Sequence, residues 1–354
     1  MPALLPTAFH SRGSGEDSTR GRWSRAQARL DVHHFAMADT EPRLIFVRDL
    51  DEQFESRRGH ARAVDAGIET RLARGAYIDS ATLAMHGERD RYLLLIQAIV
   101  GTRAKRPVLS HLSAAAIHGM PIRGRWPREV HVTVPATNGS RSRNGVIKHH
   151  SSLADEDVVE IRGFLVTSRA RTVIDLAVAE SFTDALIAAD RFLLVDRFGR
   201  EAPMGVRDDL QQALDRMKPF RSHRKAQLVV DRSEDRAESP LESLSRASMI
   251  IARLPRPELQ VPHFDRHGFI GEPDFSWPEF GILGEADGDA KYSDARFTAG
   301  RTPHQVFADE RRRHNRLVAL PRTVRRWDWE IASDPRKLRA LLVDAGLPAN
   351  VDWR

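Results

Sequence analysis

The last part of the chain alternates between helical and extended patterns in an order that strongly limits its fold. A helix is predicted to begin at Ser239-Pro240 and a final helix at Pro335. Between them lie an arginine-rich helix around residues 305–318 and four extended segments, ELQVPHF, FIGEPDFSW, FGILGEAD and, after the arginine-rich helix, TVRRWDW. The order α-β-β-β-α-β-α predicts an α/β domain over residues 238–346.

Acidic residues mark two of these predicted strands. Asp274 follows Pro273, and after ten intervening residues come Glu285 and then Asp287. Because side chains alternate along a strand, Glu285 and Asp287 share one face, and a neighbouring strand can place Asp274 beside them. Carboxylate oxygens gathered in this way suit Mg²⁺ or Mn²⁺, since their mutual repulsion is costly without a cation. The pattern predicts a cation site that could activate water for attack on a phosphodiester.

This segment resembles the PD-(D/E)XK nuclease superfamily, whose core has the order α-β-β-β-α-β, and within it the branch related to the very-short-patch-repair (Vsr) endonuclease. The resemblance covers residues 238–346 and rests on SPLE at 239–242, PD at 273–274, EADG at 285–288 and RRW at 325–327. It implies a restriction-endonuclease-like domain in which Asp274 and Glu285 bind the metal. Asp287 stands where the general superfamily motif has Lys, so the charge-stabilising or base role of that Lys would need Lys291.

Glu242 and the nearby arginines each have two interpretations. Ser239-x-x-Glu242, with Pro240 at the first helical position, is a capping box in which Glu242 serves the helix end. The nuclease resemblance instead implies an acid of the first helix near the metal, which makes Glu242 a secondary metal candidate. The arginines that follow the site either bind DNA phosphate or form an exposed charged face, and they are Arg311, Arg312, Arg313, Arg316 and, on the next strand, Arg326.

The start of the chain divides into two parts. Residues 1–40 are rich in Ser, Gly and Arg, and we expect disorder there or a true start at Met37 rather than Met1. Residues 41–82 combine a short helical stretch with a basic hairpin over 68–72 and 76–78, which predicts a winged-helix DNA-binding domain. Its arginines lie where phosphate contacts would position a winged helix on DNA. The alternative is that they are scattered surface residues of an arginine-rich protein. They are Arg57, Arg58, Arg62, Arg71 and Arg74.

The middle of the chain has the pattern of a mixed α+β domain over residues 88–200. Its helices precede three strands, the last of which folds back at Gly163, and two further helices close the unit. Residues 201–237 are charged and interrupted by Pro203 and Pro219, and they predict a helical linker. The whole chain is therefore predicted to be an α+β multi-domain protein.

Four segments of the first half resemble the AbiEi family of type IV antitoxins, namely LARGAY at 72–77, LSHLSAAAIHG at 109–119, VHVTVP at 130–135 and TSRARTVIDL at 167–176. The match covers residues 44–200. The resemblance implies a winged helix, repression of the protein's own operator and a nucleotidyltransferase toxin as genetic partner. The helix-turn-helix portion departs from the family pattern and looks short.

Several polar residues of the middle region receive no functional assignment. Its histidines lack a spaced carboxylate partner or a nucleophile elbow, and core or surface roles are expected for His111, His118, His131, His149 and His150. Arg171 and Asp175 are four apart on a predicted helix, which predicts a local ion pair.

Composition excludes some classes of site. The chain has no Cys, which excludes disulfides, thiolate zinc sites and cysteine nucleophiles. No run approaches 18 apolar residues and the first residues lack the apolar core of a signal peptide, so we expect a cytoplasmic protein of bacterial type with no membrane partner. The net charge is +6 and 49 of the 55 basic residues are arginine, which suits phosphate recognition or reflects a GC-rich genome.

Two functions follow from these patterns. The first is a DNA endonuclease that depends on Mg²⁺ or Mn²⁺ and acts through Asp274, Glu285, Asp287 and Lys291. The second is a non-catalytic transcriptional autorepressor or antitoxin of a type IV toxin-antitoxin system. RNA binding is a third and weaker reading, because a basic surface does not distinguish RNA from DNA and no aromatic stacking signature supports it.

Overall fold

Short apolar runs separated by turn residues produce a mixed α/β architecture with several small sheets. The computed structural model describes residues 44–47, 57–136, 141–287, 303–351 and 353. The part of the chain from Leu44 onward forms one compact unit. None of the helices in the described ranges is long and apolar enough to cross a membrane.

A three-stranded antiparallel sheet comes first, in the order β1-β3-β2. Its elements are β1 (Ile45–Phe46), α1 (Arg57–Asp65), β2 (Glu69–Ala73), β3 (Ala76–Asp79) and α2 (Ser80–Ala84). The turn between β2 and β3 contains Gly75 at φ +80°, a backbone conformation that glycine adopts without steric cost. The predicted basic hairpin is confirmed.

A five-stranded sheet forms the middle of the molecule, in the order β6-β5-β4-β8-β7. Its elements are α3 (Glu88–Gly101), β4 (Val108–Leu109), α4 (His111–His118), β5 (Val130–Val134), β6 (Val146–His150), β7 (Val158–Ile161), β8 (Phe164–Thr167), α5 (Arg169–Ala179) and α6 (Phe182–Leu193). Strand β5 runs parallel to β6 and β4 parallel to β8, while the other pairs are antiparallel. The fold at Gly163 is confirmed as the β7-β8 turn.

The segment predicted as a linker contains two helices, α7 (Arg207–Met217) and α8 (His223–Arg232). Their apolar side chains are buried in the same cluster as those of α5 and α6, and this cluster includes Leu210, Leu214 and Val229. Helices α7 and α8 therefore add a layer to the middle region. The sequence obscures this role because charged residues surround each short apolar stripe.

The C-terminal region has a four-stranded sheet in the order β14-β13-β12-β9, with a separate hairpin of β10 and β11. Its elements are α9 (Pro240–Ile251), β9 (Glu258–Leu259), β10 (His263–Asp265), β11 (Gly268–Gly271), β12 (Phe275–Trp277), β13 (Ile282–Ala286), α10 (Pro303–Val318), β14 (Thr323–Trp327), α11 (Trp329–Ser333) and α12 (Pro335–Asp344). The β9-β12 and β12-β13 pairs are antiparallel, and β14 runs parallel to β13.

Two of the predicted strands are each divided into two short strands. ELQVPHF separates into β9 and β10, and FIGEPDFSW separates into β11 and β12. A proline lies at each division, Pro262 in the first and Pro273 in the second, and proline has no N–H to donate to a sheet. Gln260, at φ +51°, adds a further bend after β9.

Alternation along β13 sends its side chains into two different cores. Ile282 and Ala286 pack in the cluster that contains the apolar face of α9. Leu283 packs with Leu317 of α10 and with Ile270 of the hairpin. Glu285 has the same parity as Leu283 and contacts α10, so α9 and α10 cover opposite faces of this sheet.

The middle and C-terminal regions share a buried contact between α6 and α9. Ile187 of α6 belongs to the apolar cluster of the C-terminal region. The guanidinium of Arg246 on α9 donates to the carboxylate of Asp190 on α6, and both side chains are buried. Arg246 also donates to the carbonyl oxygen of Arg232 at 2.6 Å.

Candidate functional site

The Asp274 carboxylate lies immediately before β12 and is held from two sides. The residue is 8% exposed, and its Oδ2 accepts a hydrogen bond of 2.7 Å from the backbone N–H of Ala286, the residue after Glu285. Its Oδ1 lies 3.5 Å from Nε2 of Gln260, which donates to Oε2 of Glu242 at 3.1 Å. The backbone of β13, the strand that carries Glu285, therefore holds the Asp274 carboxylate, and Gln260 links Asp274 to Glu242.

Glu242 serves the start of α9, as the capping interpretation predicts. Ser239 Oγ accepts a hydrogen bond from the Glu242 backbone N–H at 3.2 Å and donates to Glu242 Oε1 at 2.8 Å. Glu242 Oε2 accepts a hydrogen bond from the backbone N–H of Glu238 at 2.9 Å. In the usual capping box the donor is the backbone N–H of the N-cap residue, which here is Ser239. Both carboxylate oxygens are therefore engaged at the helix start.

Glu285 is 2% exposed and is neutralised by cations from two other elements. Arg313 of α10 donates to Oε1 at 2.5 Å, and Nε of Arg326 on β14 lies 3.5 Å from Oε2. His314 Nδ1 lies 3.9 Å from the same Oε2. Charge compensation by arginine stabilises a carboxylate that burial would otherwise destabilise.

Asp287 follows β13 and forms a bidentate ion pair with Arg326. The distances are 2.5 Å from Nε to Oδ2 and 2.8 Å from Nη2 to Oδ1. Because Arg326 also approaches Glu285, the two acids lie on a common side, as the strand alternation predicts. The structure thus pairs a predicted DNA-binding arginine with a predicted catalytic acid. Lys291 lies outside the described residues.

The oxygen donors of Asp274 and Glu285 have the chemistry that a hard divalent cation requires. Mg²⁺ commonly uses one or two carboxylates and completes its coordination with water and phosphate oxygens. Within the described ranges, no group of three or more His, Asp or Glu side chains could hold a metal ion. A cation between Asp274 and Glu285 would therefore depend on water and phosphate, and Arg313 would have to move away from Glu285.

The predicted DNA-binding arginines fall on two separate surfaces. Arg57 is the first residue of α1. The exposed side chains are those of two further arginines on α1, two on the β2-β3 hairpin and two on α10: Arg58, Arg62, Arg71, Arg74, Arg311 and Arg312. Arg62 and Arg71 donate to nearby backbone carbonyls, and Arg312 pairs with Asp309 at 2.6 Å.

Three histidines that received no role lie together between α4, β5 and β6. The rings of His111 and His149 are stacked with centroids 3.4 Å apart, and Nδ1 of His131 lies 3.0 Å from Nε2 of His149. Burial lowers the pKa of His131 to about 4, and burial together with the neighbouring histidines lowers that of His149 to about 4. The five-stranded sheet brings these histidines together from positions that are distant in the sequence, and no short sequence motif predicts the cluster.

His111 has an unusual backbone conformation at the start of α4, with φ +51°. Its Nδ1 lies 3.0 Å from Ser110 Oγ and 4.0 Å from Asp175 Oδ2. Burial lowers the pKa of His111, and the nearby His149, His131 and Arg171 lower it further. The other two histidines lie apart from the stack: Nε2 of the buried His118 is 2.7 Å from the carbonyl oxygen of Thr167, while His150 is exposed.

Arg171 and Asp175 form the predicted ion pair on α5, with 2.8 Å between Nε and Oδ1. Both side chains are buried in the protein interior. Arg171 also contacts Asp157 at 2.9 Å, and Arg216 of α7 contacts the same Asp157 at 2.8 Å. Burial raises the pKa of Asp175 to about 6, against the opposing effect of Arg171. This network ties α5 and α7 to the start of β7.

No protein-family model matches the chain. Two uncharacterized proteins of Mycobacterium tuberculosis, from strains CDC 1551 / Oshkosh and ATCC 25618 / H37Rv, are each 28% identical to it over 152 residues. The matched part is 43% of this chain and 51% of each relative, so the chain spans about half the length of the curated relatives it matches.

Proposed function

We propose that the chain is a DNA-binding protein whose C-terminal region hydrolyses phosphodiester bonds with Mg²⁺ or Mn²⁺. One observation carries this proposal: the Asp274 carboxylate accepts the N–H of Ala286, which keeps it next to Glu285 on the neighbouring strand. This contact supports a cation position shared by the two carboxylates at the end of β12 and β13. The order α9, β9, β12, β13, α10, β14 supports a PD-(D/E)XK core, since β14 pairs in parallel with β13 after the α10 crossover.

In this mechanism Asp274 and Glu285 would hold the cation, while Gln260 and the backbone of Ala286 orient Asp274. A bound divalent cation would acidify its water and offset charge on the phosphoryl oxygens. With a cation bound at Glu285, Arg313 would no longer be needed to compensate that carboxylate and could instead contact a DNA phosphate. Asp287 positions Arg326 through its bidentate pair.

Cleavage of supercoiled plasmid in the presence of Mg²⁺, Mn²⁺ or EDTA tests the proposal. We expect wild-type protein to nick or linearise the plasmid with either metal and to be inactive in EDTA. An Asp274→Ala, Glu285→Ala double variant should be inactive under all three conditions. An Asp344→Ala variant, which removes an exposed acid on α12, should cleave like wild type.

Thermal unfolding and DNA binding of each variant serve as controls for folding. If folded, DNA-binding wild-type protein cleaves no plasmid or single-stranded DNA with either metal, the endonuclease proposal is wrong. Equal cleavage by wild type and the double variant would show that the activity does not use Asp274 and Glu285.

The second candidate function is a non-catalytic autorepressor or antitoxin that binds its own operator and has a nucleotidyltransferase toxin as genetic partner. The pairing of Glu285 and Asp287 with Arg313 and Arg326 favours it, because these acids are neutralised without a cation. The exposed arginines of the β2-β3 hairpin also favour it, since a winged helix presents such residues to phosphate.

Gel-shift titration with DNA from upstream of the gene tests this candidate. We expect Arg71→Ala, Arg74→Ala protein to bind more weakly and to lower the slope of log affinity against log salt by about two, one for each lost phosphate contact. Arg106→Ala, which removes an exposed arginine paired with Glu160, should retain wild-type binding. Absence of binding to this DNA by the wild type would contradict the autorepressor.

A further inference from the structure

An exposed aromatic pair projects from the β10-β11 hairpin of the C-terminal region. Phe264 and Phe269 are 61% and 55% exposed, although phenylalanine usually lies in a protein core. They are direct cross-strand partners, with ring centroids 5.6 Å apart and an interplanar angle of 62°. Two aromatic faces therefore point from the same side of one hairpin into solvent.

The hairpin that presents these rings is anchored to α10. Arg316 donates to both carboxylate oxygens of Asp265, at 2.8 and 2.6 Å, and to the carbonyl oxygens of Gly268 and Phe269, each at 3.1 Å. On the opposite face, Ile270 is buried against Leu283 and Leu317. These contacts hold the hairpin and its aromatic pair in place, so little conformational entropy is lost when a ligand binds to the rings.

The charge around the hairpin is complementary to a polyanion. Arg266 and His267 at the hairpin turn are exposed, and Arg311 and Arg312 are exposed on the helix that anchors the hairpin. The acid of the hairpin itself, Asp265, is neutralised by Arg316. Exposed arginines flanking exposed rings offer contacts to both phosphates and bases.

The hairpin also adjoins the carboxylate site. A Cβ placed on Gly271, the last residue of β11, would lie 3.0 Å from Cδ of Arg313, the arginine that pairs with Glu285. Asp274 follows Gly271 by three residues. The strand that carries Phe269 therefore ends beside the arginine that pairs with Glu285.

We propose that Phe264 and Phe269 form a stacking platform for unpaired nucleic-acid bases, with Arg266, Arg311 and Arg312 contacting the flanking phosphates. This inference rests on the proposed DNA-binding function and narrows its substrate class to DNA that contains a single-stranded or unstacked segment. Bases in an intact duplex are covered by their neighbours and cannot offer their faces to the rings. Stacking on aromatic side chains is tolerant of sequence, because every base has a flat π face.

Fluorescence anisotropy with a labelled single-stranded oligonucleotide, its duplex and an oligonucleotide of the same length with abasic sites tests the platform. All titrations contain EDTA, so binding is measured whether or not the protein is a nuclease. We expect wild type to prefer the single strand over the abasic strand, and Phe264→Ala, Phe269→Ala protein to bind the single strand about tenfold more weakly or worse. The variant should bind the abasic strand as wild type does.

Phe198→Ala is the matched control, since Phe198 is 64% exposed on a different loop, and it should leave all three affinities unchanged. Equal affinity of wild type and the double variant for the single strand would overturn the proposal, as would equal binding of normal and abasic strands by wild type. Analytical sedimentation tests whether a second copy of the chain covers the rings instead. If the wild type is a dimer, the variant is a monomer and the DNA affinity is unchanged, the aromatic pair serves self-association. Plasmid cleavage is scored separately, so the loss of one function is distinguishable from the loss of the other.

Discussion

At the scale of single residues, Gly284 shows how closely the C-terminal sheet is packed. It lies on β13 between the aromatic side chains of Trp327 on β14 and Phe275 on β12. A Cβ added at Gly284 would lie 2.5 Å from Cη2 of Trp327 and 3.2 Å from Cβ of Phe275. Trp327 cannot easily retreat, because it is buried and its Nε1 donates to Ser245 Oγ at 2.8 Å.

We expect Gly284→Ala to destabilise the protein by about 1–3 kcal/mol, the usual cost of inserting a methyl group into a filled core. Gly87→Ala is the control, because its added Cβ meets only Asp90 Oδ2 at 3.9 Å. Urea unfolding monitored by tryptophan fluorescence measures both. A more stable Gly284→Ala protein would mean that β14 shifts to make room, and that the strand is held less firmly than the packing indicates.

The acids of the candidate site could be found from sequence, whereas their partners could not. Asp274 and Glu285 were predicted because their spacing and the alternation of side chains on neighbouring strands can bring carboxylates together. Arg313 and Arg326 were ambiguous, since an arginine-rich chain offers many equivalent cations and only the fold selects which ones reach a carboxylate. Gln260, which links Asp274 to Glu242, had no signal of its own, because its role depends on a left-handed turn at one position.

At the scale of elements, α4, β5 and β6 enclose histidines whose proton affinity is lowered by burial. The pKa values of His131 and His149 fall to about 4, whereas the unfolded chain takes up these protons near pH 6.5. Between these values the unfolded state binds more protons than the folded state, so stability is fully present above pH 6.5 and is lost as pH falls toward 4. Each such histidine steepens this loss by up to about 1.4 kcal/mol per pH unit.

His149→Phe should flatten this pH dependence, because it keeps a ring against His111 but no longer titrates. We expect the free energy of unfolding to fall less between pH 7.5 and pH 5 in this variant than in wild type. His267→Gln, which replaces an exposed histidine of the β10-β11 hairpin outside this cluster, serves as the control. Identical slopes for His149→Phe and wild type would show that other groups dominate acid unfolding.

The sequence predicted helices and hairpins of the chain more reliably than the lengths of its C-terminal strands. Residues 258–264 and 269–277 were each predicted as one strand from the apolar residues spread along them. Pro262 interrupts the first and Pro273 the second. The inner parts, β10 and β11, pair with each other as a hairpin, while the outer parts, β9 and β12, pair within the four-stranded sheet. Strand pairing depends on partners distant in the chain, which the local pattern does not contain.

At the scale of the whole molecule, the α6-α9 contact makes the middle and C-terminal regions depend on each other. Arg246 and Asp190 are both buried, and burial raises the pKa of Asp190 while Arg246 opposes that change. Removing one member leaves the other charged and uncompensated in the interior. The segment between the two regions, which the sequence predicted as a linker, is also folded onto α5 and α6.

Arg246→Ala should therefore destabilise the protein by about 3–5 kcal/mol, as is usual when one partner of a buried pair is lost. Arg106→Ala breaks the exposed pair with Glu160 and should cost about 0–1 kcal/mol. Urea unfolding followed by both far-UV circular dichroism and tryptophan fluorescence measures the difference. A cost for Arg246→Ala as small as that for Arg106→Ala would indicate that water reaches Asp190.

The buried Asp190-Arg246 pair also bears on how such a chain can change over evolutionary time. A gene truncated after residue 237 would encode a protein in which the Asp190 carboxylate loses its arginine partner and the apolar Ile187 becomes exposed to solvent. A fragment beginning at residue 238 would carry an unmatched arginine in the middle of its first helix. Recombination at this boundary therefore destabilises both products, and the two halves are expected to be inherited together.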